Sequence, residues 1–198
     1  MNKKIVTALV ASSFIASSLL ADIYVGVEYG NSSNKTKYEE SGLLGNESEK
    51  FTNKYSDIKL KLGTGTDGGV KAHLYLSSIS YKHAIFDDSH KRLTEFGVEV
   101  IKEFEVTKEI YPFVKGGLGV GSMSVDGMSD SSILAVSLSI GGGVAYKVTE
   151  NISLLAGVDY AIRKWQDIEY KTTGGTTFYT VEITDAGVKP YVGVNFQF

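Results

Sequence analysis

The sequence predicts an all-β chain, an eight-stranded antiparallel up-and-down transmembrane β-barrel. Three observations carry this expectation. After residue 21 apolar residues alternate with period two almost everywhere, and no helical stretch follows. The connections between the alternating segments are short and long by turns. Aromatic residues on the apolar face gather at two heights.

Composition bounds the alternatives. The 198 residues carry a formal net charge of −3, 42% hydrophobic residues, 22 Gly, 2 Pro and no Cys. Collagen-like, disulfide-stapled and disordered classes are excluded by these values. A charge near zero offers no basic surface to neutralise phosphates, so no nucleic-acid partner is expected.

Residues 1–21 read as a cleaved signal peptide. Lys3 and Lys4 form a positive start, and Ile5 to Leu20 is an uncharged run of 16 residues. That run is shorter than the ~20 residues a membrane-spanning helix needs. Ala21 precedes Asp22, where the composition changes, and no Cys follows to take a lipid anchor. Residues 22–198 are expected to form one barrel domain, exported and free of disulfides.

Each strand shows one apolar and one mixed face. In the first, Ile23, Val25, Val27 and Tyr29 oppose Tyr24, Gly26, Glu28 and Gly30. In the second, Ile58, Leu60 and Leu62 oppose Lys59, Lys61 and Gly63. The third sets Val70, Ala72, Leu74 and Leu76 against Lys71, His73, Tyr75 and Ser77. Ile79 and Tyr81 fall out of phase with Leu76, which predicts a bulge near Ser78. The fourth sets Phe96, Val98 and Val100 against Glu95, Gly97 and Glu99. Lys102 falls on its apolar face and must snorkel or sit beyond a bulge. The fifth sets Val114, Leu118 and Val120 against Lys115, Gly117 and Gly119. The sixth sets Leu134, Val136, Leu138 and Ile140 against Ala135, Ser137, Ser139 and Gly141. The seventh sets Leu154, Val158 and Tyr160 against Leu155, Asp159 and Arg163. The eighth sets Val188, Val192, Val194, Phe196 and Phe198 against Lys189, Tyr191, Gly193, Asn195 and Gln197.

The solvent on the apolar face follows from the connections and the aromatics. Gly65–Gly69, Val106–Glu109 and Thr149–Asn151 are short, whereas Ser32–Lys54, Lys82–Arg92, Val125–Ser132 and Trp165–Thr177 are long. Short turns at one end and long loops at the other is the pattern of barrels in an outer membrane. Phe104, Tyr146, Phe196 and Phe198 lie near the short-turn end. Tyr29, Phe96 and Tyr160 lie about seven to nine residues higher, roughly 15–20 Å at ~3.3 Å per residue with tilt. Two aromatic rings at that spacing match two membrane interfaces.

The last strand alternates up to a terminal Phe, through Val194, Phe196 and Phe198. With Pro112 and the glycine-rich run Gly116–Gly121, it resembles the small outer-membrane β-barrel family typified by the OmpA transmembrane domain and the opacity proteins. The resemblance spans Asp22 to Phe198. It implies residence in the outer membrane of a Gram-negative cell, among phospholipid and lipopolysaccharide. It implies that Val194, Phe196 and Phe198 are the signal read by the barrel-assembly machinery. It further implies a structural or adhesive role, with a host or surface ligand meeting the long loops. A lipid A acylase or deacylase and a narrow pore are the alternatives it leaves open.

An eight-stranded barrel is just wide enough for side chains to fill. The expected interior is a polar network of Glu28, Lys59, Lys61, Glu95, Glu99, Lys115, Asp159 and Arg163, with His73 and Tyr191 beside it. Buried charges are tolerable when paired.

No catalytic, cofactor or metal site is expected. Gly116–Gly121 and Gly141–Gly143 lack the strand–turn–helix context of a phosphate cradle. His83, Asp87, Asp88, Ser89 and His90 contain the types a nucleophile and base need, but no known active-site motif surrounds them. Their spacing matches no strong zinc signature. Glu39, Glu40, Glu47 and Glu49 are placed to share divalent cations with lipopolysaccharide or simply to solubilise the loop. Trp165, Tyr170, Phe178 and Tyr179 serve as exposed anchors or as continuations of strands.

Overall fold

Period-two alternation becomes strand throughout. The computed structural model describes residues 22–42, 45–86, 91–125, 132–171 and 177–198. The expected leader, and Asp87, Asp88, Ser89 and His90, lie outside the described residues. The strands are β1 (Asp22–Gly42), β2 (Gly45–Gly65), β3 (Val70–Tyr81), β4 (Arg92–Glu103), β5 (Ile110–Ser124), β6 (Ser132–Thr149), β7 (Ile152–Trp165), β8 (Ile168–Lys171) and β9 (Thr177–Gln197). Each of β1 to β6 pairs antiparallel with the next, β7 pairs with β9, and β9 returns to β1. Eight strands thus make the closed ring, and β8 adds a short outer pairing to β9. Closure removes the bare edge that hydrocarbon would penalise. Its last link is a mutual pair of backbone bonds between Ile23 and Phe198, at 3.2 and 2.9 Å.

The alternation sorts side chains by face as expected. Val136 is 59% exposed and its neighbour Ser137 is 5% exposed. Tyr29, Phe96 and Tyr160, and at the other end Phe104, Tyr146, Phe196 and Phe198, all point outward. No helix among the described residues is long and apolar enough to cross a membrane.

Three expectations are corrected. There is no bulge near Ser78: β3 keeps register with β2 from Tyr55↔Tyr81 to Gly65↔Lys71. Ile79 and Tyr81 simply point inward, where they join an apolar cluster near the long-loop end. Irregularities lie instead between Lys147 and Thr149 and between Tyr170 and Lys171. Ser32–Lys54 is not a loop but a paired extension of β1 and β2, continuous from Ser32↔Tyr55 to Gly42↔Gly45. Its residues are polar on both faces, so alternation is invisible there. In the expected loop Trp165–Thr177, Ile168–Lys171 is strand.

Two apolar clusters bracket the interior. Near the long-loop end Tyr55, Ile79, Leu93, Met123, Ile133, Trp165 and Ile183 pack together. Toward the short-turn end Ile101, Tyr111, Phe113, Leu155 and Tyr191 form the second cluster. Leu155 therefore points inward, as its phase requires. Lys102 stays outward in strict register.

Candidate functional site

Inward positions of adjacent strands meet as cross-strand pairs, which sets Glu28 beside Lys59 and His73 beside Glu99. Glycine makes the room. A Cβ at Gly119 would collide with the Tyr75 hydroxyl, and one at Gly141 with the Asp159 carboxylate. Small positions on β5 and β6 thus make room for the side chains of Tyr75 on β3 and Asp159 on β7.

Among the described residues six cations and seven carboxylates are buried, which nearly balance. Glu99 is the hub. Lys115 lies 3.2 Å away, Lys59 3.3 Å, Lys61 3.7 Å and His73 Nδ1 3.9 Å. Lys61 pairs closely with Glu28, which also has Lys115 at 3.5 Å. Lys115 reaches Asp159 at 3.2 Å. From there the chain of charges runs through Lys189 (3.8 Å) to Asp57 (2.5 Å), which accepts a bond from the Ser77 hydroxyl. Tyrosine faces support two of the ammoniums: Lys59 lies 4.3 Å from the Tyr75 ring centroid and Lys115 3.9 Å from that of Tyr191.

A second group sits nearer the long loops. Arg163 grips Glu95 with Nη2 at 3.0 Å and Nε at 3.2 Å, while Tyr75 donates to the same carboxylate at 2.9 Å. Both Arg163 nitrogens go to one oxygen, Oε2. Arg163 Nη1 also donates to the Tyr81 hydroxyl at 2.9 Å. Tyr81, Trp165 Nε1 and Thr36 in turn donate to Asp185 at 2.9, 3.1 and 2.6 Å.

The eight residues expected from the sequence all point inward, and they fall into these two groups. Glu95 and Arg163 belong to the outer group, and the other six to the central one. Asp57, Lys189 and Asp185 complete the clusters and are absent from that expectation. Lys189 stands on the inward face of a strand legible in the sequence, so phase alone identifies it. Asp185, Thr36 and Trp165 lie where polar residues on both faces, or a loop-like composition, hide the strand.

A third group closes the short-turn end. Asp67, in the turn between β2 and β3, pairs with Lys147 and receives bonds from Lys71 at 2.8 Å and Tyr24 at 3.0 Å. Lys71 also holds Glu103 at 2.8 Å. Burial pushes the Asp67 carboxyl up, but the Lys147 and Lys71 hydrogen bonds and the Lys71 charge outweigh it and hold it below its ordinary 3.8. A carboxyl depressed in the folded state stabilises above its unfolded value, and that stability is lost as pH falls through the folded value. Acidification should therefore release this turn with a midpoint below 3.8. NMR of the Gly68 and Gly69 amides in micelles reads it, and Asp67→Asn should abolish the titration.

Chemically, the interior holds opposite charges against one another. Among the described residues no group of His, Asp or Glu is arranged to hold a metal ion. Of the loop residues considered for catalysis, His83 is described; its backbone carbonyl accepts from Asn53 at 2.8 Å. On the last strand Val194, Phe196 and Phe198 share the outward face, and Phe198 is 76% exposed.

Residues 6–177 match the family described as outer membrane protein beta-barrel domain. Neisserial surface protein A is similar in structure, with 20% identity, a TM-score of 0.52, and coverage of 89% of this chain and 97% of that one. The outer membrane protein OprG from Pseudomonas aeruginosa is similar at 14% identity and a TM-score of 0.56, over 89% of this chain and 95% of that one. At these identities the likeness carries the fold alone. No curated protein sequence matches the chain.

Proposed function

We propose a function from the premise that the chain belongs to the outer membrane protein beta-barrel domain family, and so resides in the outer membrane. The barrel is a platform: its lumen is plugged by its own side chains, and its work is done by the surface it raises outside the cell. The observation that carries this reading is the extension of β1 and β2, paired along its length and joined by β9 from Ser33↔Val188 to Gly42↔Tyr179. Loops on a rigid scaffold are where contacts with partners reside. The partner proposed is a host or surface ligand; lipopolysaccharide surrounds the platform and the barrel-assembly machinery inserts it.

The plug is supported by the paired charges and by the apolar cluster above them, which contains the side chain of Trp165 at 1% exposure. Planar-bilayer recordings should find no single-channel steps in the wild-type protein, and steady conductance would overturn the plug. The surface role is tested on whole cells. Deleting Lys35–Lys50, the outer part of the hairpin, should abolish binding to host cells or matrix while leaving the barrel heat-modifiable on gels. Unchanged binding would overturn it. A role other than catalysis is part of the proposal: His83→Ala, Ser89→Ala and His90→Ala together should leave lipid A mass spectra unchanged.

A further inference from the structure

The outer wall of the barrel is not uniformly covered. Across β4 to β7 it carries a groove of about 830 Å³. Gly116 is the floor, between Val100 on β4 and Ile140 on β6, with which it is paired in register. A Cβ built at Gly116 meets Ser139 O in ordinary contact at 3.8 Å and nothing closer, so the floor has room for a side chain. The walls are mostly aliphatic with Tyr160 among them, and Lys102, level with Val114, marks one end of the groove.

Lys102 is out of place on an apolar face unless its charge is used. It lies on β4 one residue before the strand ends, at the short-turn side, which faces the periplasm in this architecture. Its Nζ donates to Gly68 O at 3.2 Å and stands 5.7 Å from the Phe104 ring centroid. An ammonium has three donors, so this bond leaves two for another acceptor. From Lys102 to Val98 the groove follows four residues of β4. That is roughly 13 Å at ~3.3 Å per residue, close to half of the ~30 Å hydrocarbon core.

We propose that this groove seats one acyl chain of a glycerophospholipid of the periplasmic leaflet, with the Lys102 ammonium bound to its phosphate. Charge selects the headgroup and depth selects the leaflet. The uncovered floor at Gly116 turns loose annular contact into a defined site. The inference needs the outer face to meet lipid; it does not depend on the surface role of the hairpin, and deletion of the hairpin leaves it intact.

The test is native mass spectrometry of the full chain in mild detergent, titrated with palmitoyl-oleoyl phosphatidylglycerol or with the phosphate-free diacylglycerol. The wild type should hold one phosphatidylglycerol, and prefer it over diacylglycerol by about tenfold or more. Gly116→Leu fills the floor without steric conflict and should cut retention about tenfold, and Val100→Phe should do the same from the wall. Lys102→Gln should keep a chain bound but lose the preference for phosphate. Heat-modifiable migration confirms that each variant is folded, and Val100→Phe decides if Gly116→Leu does not fold. Equal lipid retention in the filled variants overturns the site. So does a wild-type dimer that the fillings dissociate without changing lipid binding, for the groove would then be an interface between copies.

Discussion

Replacing Glu99 by glutamine will cost the barrel about 3–5 kcal/mol of stability, the usual penalty for removing one partner of a buried ion pair. Glu99 faces Lys59, Lys61 and Lys115 within 3.7 Å. Without it, Lys61 and Lys115 keep Glu28 and Lys115 keeps Asp159, while Lys59 loses the carboxylate it pairs with. Water cannot take over the solvation, because these side chains are buried and apolar clusters lie toward both ends. The double variant Glu99→Gln/Lys115→Met removes a cation with the anion and should recover part of the loss. Such recovery separates charge imbalance from mere loss of packing. Urea unfolding from lipid vesicles measures both, with a convenient reporter. Trp165 is the one tryptophan of the chain, and it is 1% exposed in the folded barrel. Its emission should shift to the red at a lower urea concentration in Glu99→Gln than in the wild type. An unchanged midpoint would mean that the central charges contribute nothing to holding the barrel.

Deleting Val194–Phe198 should abolish insertion altogether. Those residues include the pairs Val25↔Phe196 and Val27↔Val194 and the mutual bonds of Ile23 with Phe198. Without them residues 23–27 of β1 keep β2 but lose their other neighbour, and β7 loses its pairing at Leu154↔Val194 and Ile152↔Phe196. Bare backbone groups then face hydrocarbon, each costing several kcal/mol. The truncated chain should appear in the soluble or aggregated fraction, with no heat-modifiable band. Phe198→Ala keeps the backbone link and removes the terminal ring. It should slow assembly in cells while leaving the stability of the inserted barrel nearly unchanged. Equal loss of assembled-barrel stability in both variants would reduce the terminal Phe to ordinary anchoring.

What sequence could reveal depended on whether one face met lipid. Within the bilayer the two faces differ sharply in polarity, so Val136 and Ser137 declare their directions and the inward Lys and Glu follow by phase. Above the bilayer that contrast disappears. Asn34, Thr36, Lys35 and Lys37 are polar whichever way they point, so β1 and β2 read there as loop although they are paired to Gly42 and Gly45. The interior changes too. Toward the long loops apolar residues join polar ones on the inward face, and Ile79 and Tyr81 look like a phase error when they are a change of layer. The partners of Asp57 and Asp185 were illegible for a different reason. Lys189 and Tyr81 lie 132 and 104 residues away in sequence from them. Phase places a side chain inside the tube, but opposite neighbours across it depend on the stagger at which the ring closes.

The paired stretch from Ser32 to Gly42 has a mechanical consequence. Eleven residues of strand reach about 35 Å, and with ~40° of tilt rise roughly 28 Å. Gly42 thus stands above the level of Ser32 by nearly the depth of a bilayer's oily layer. Ladder bonds on both flanks make the stretch a stiff mast rather than a tether. A molecule docking at its top surrenders little of the chain's freedom, because that entropy was already spent when the barrel folded.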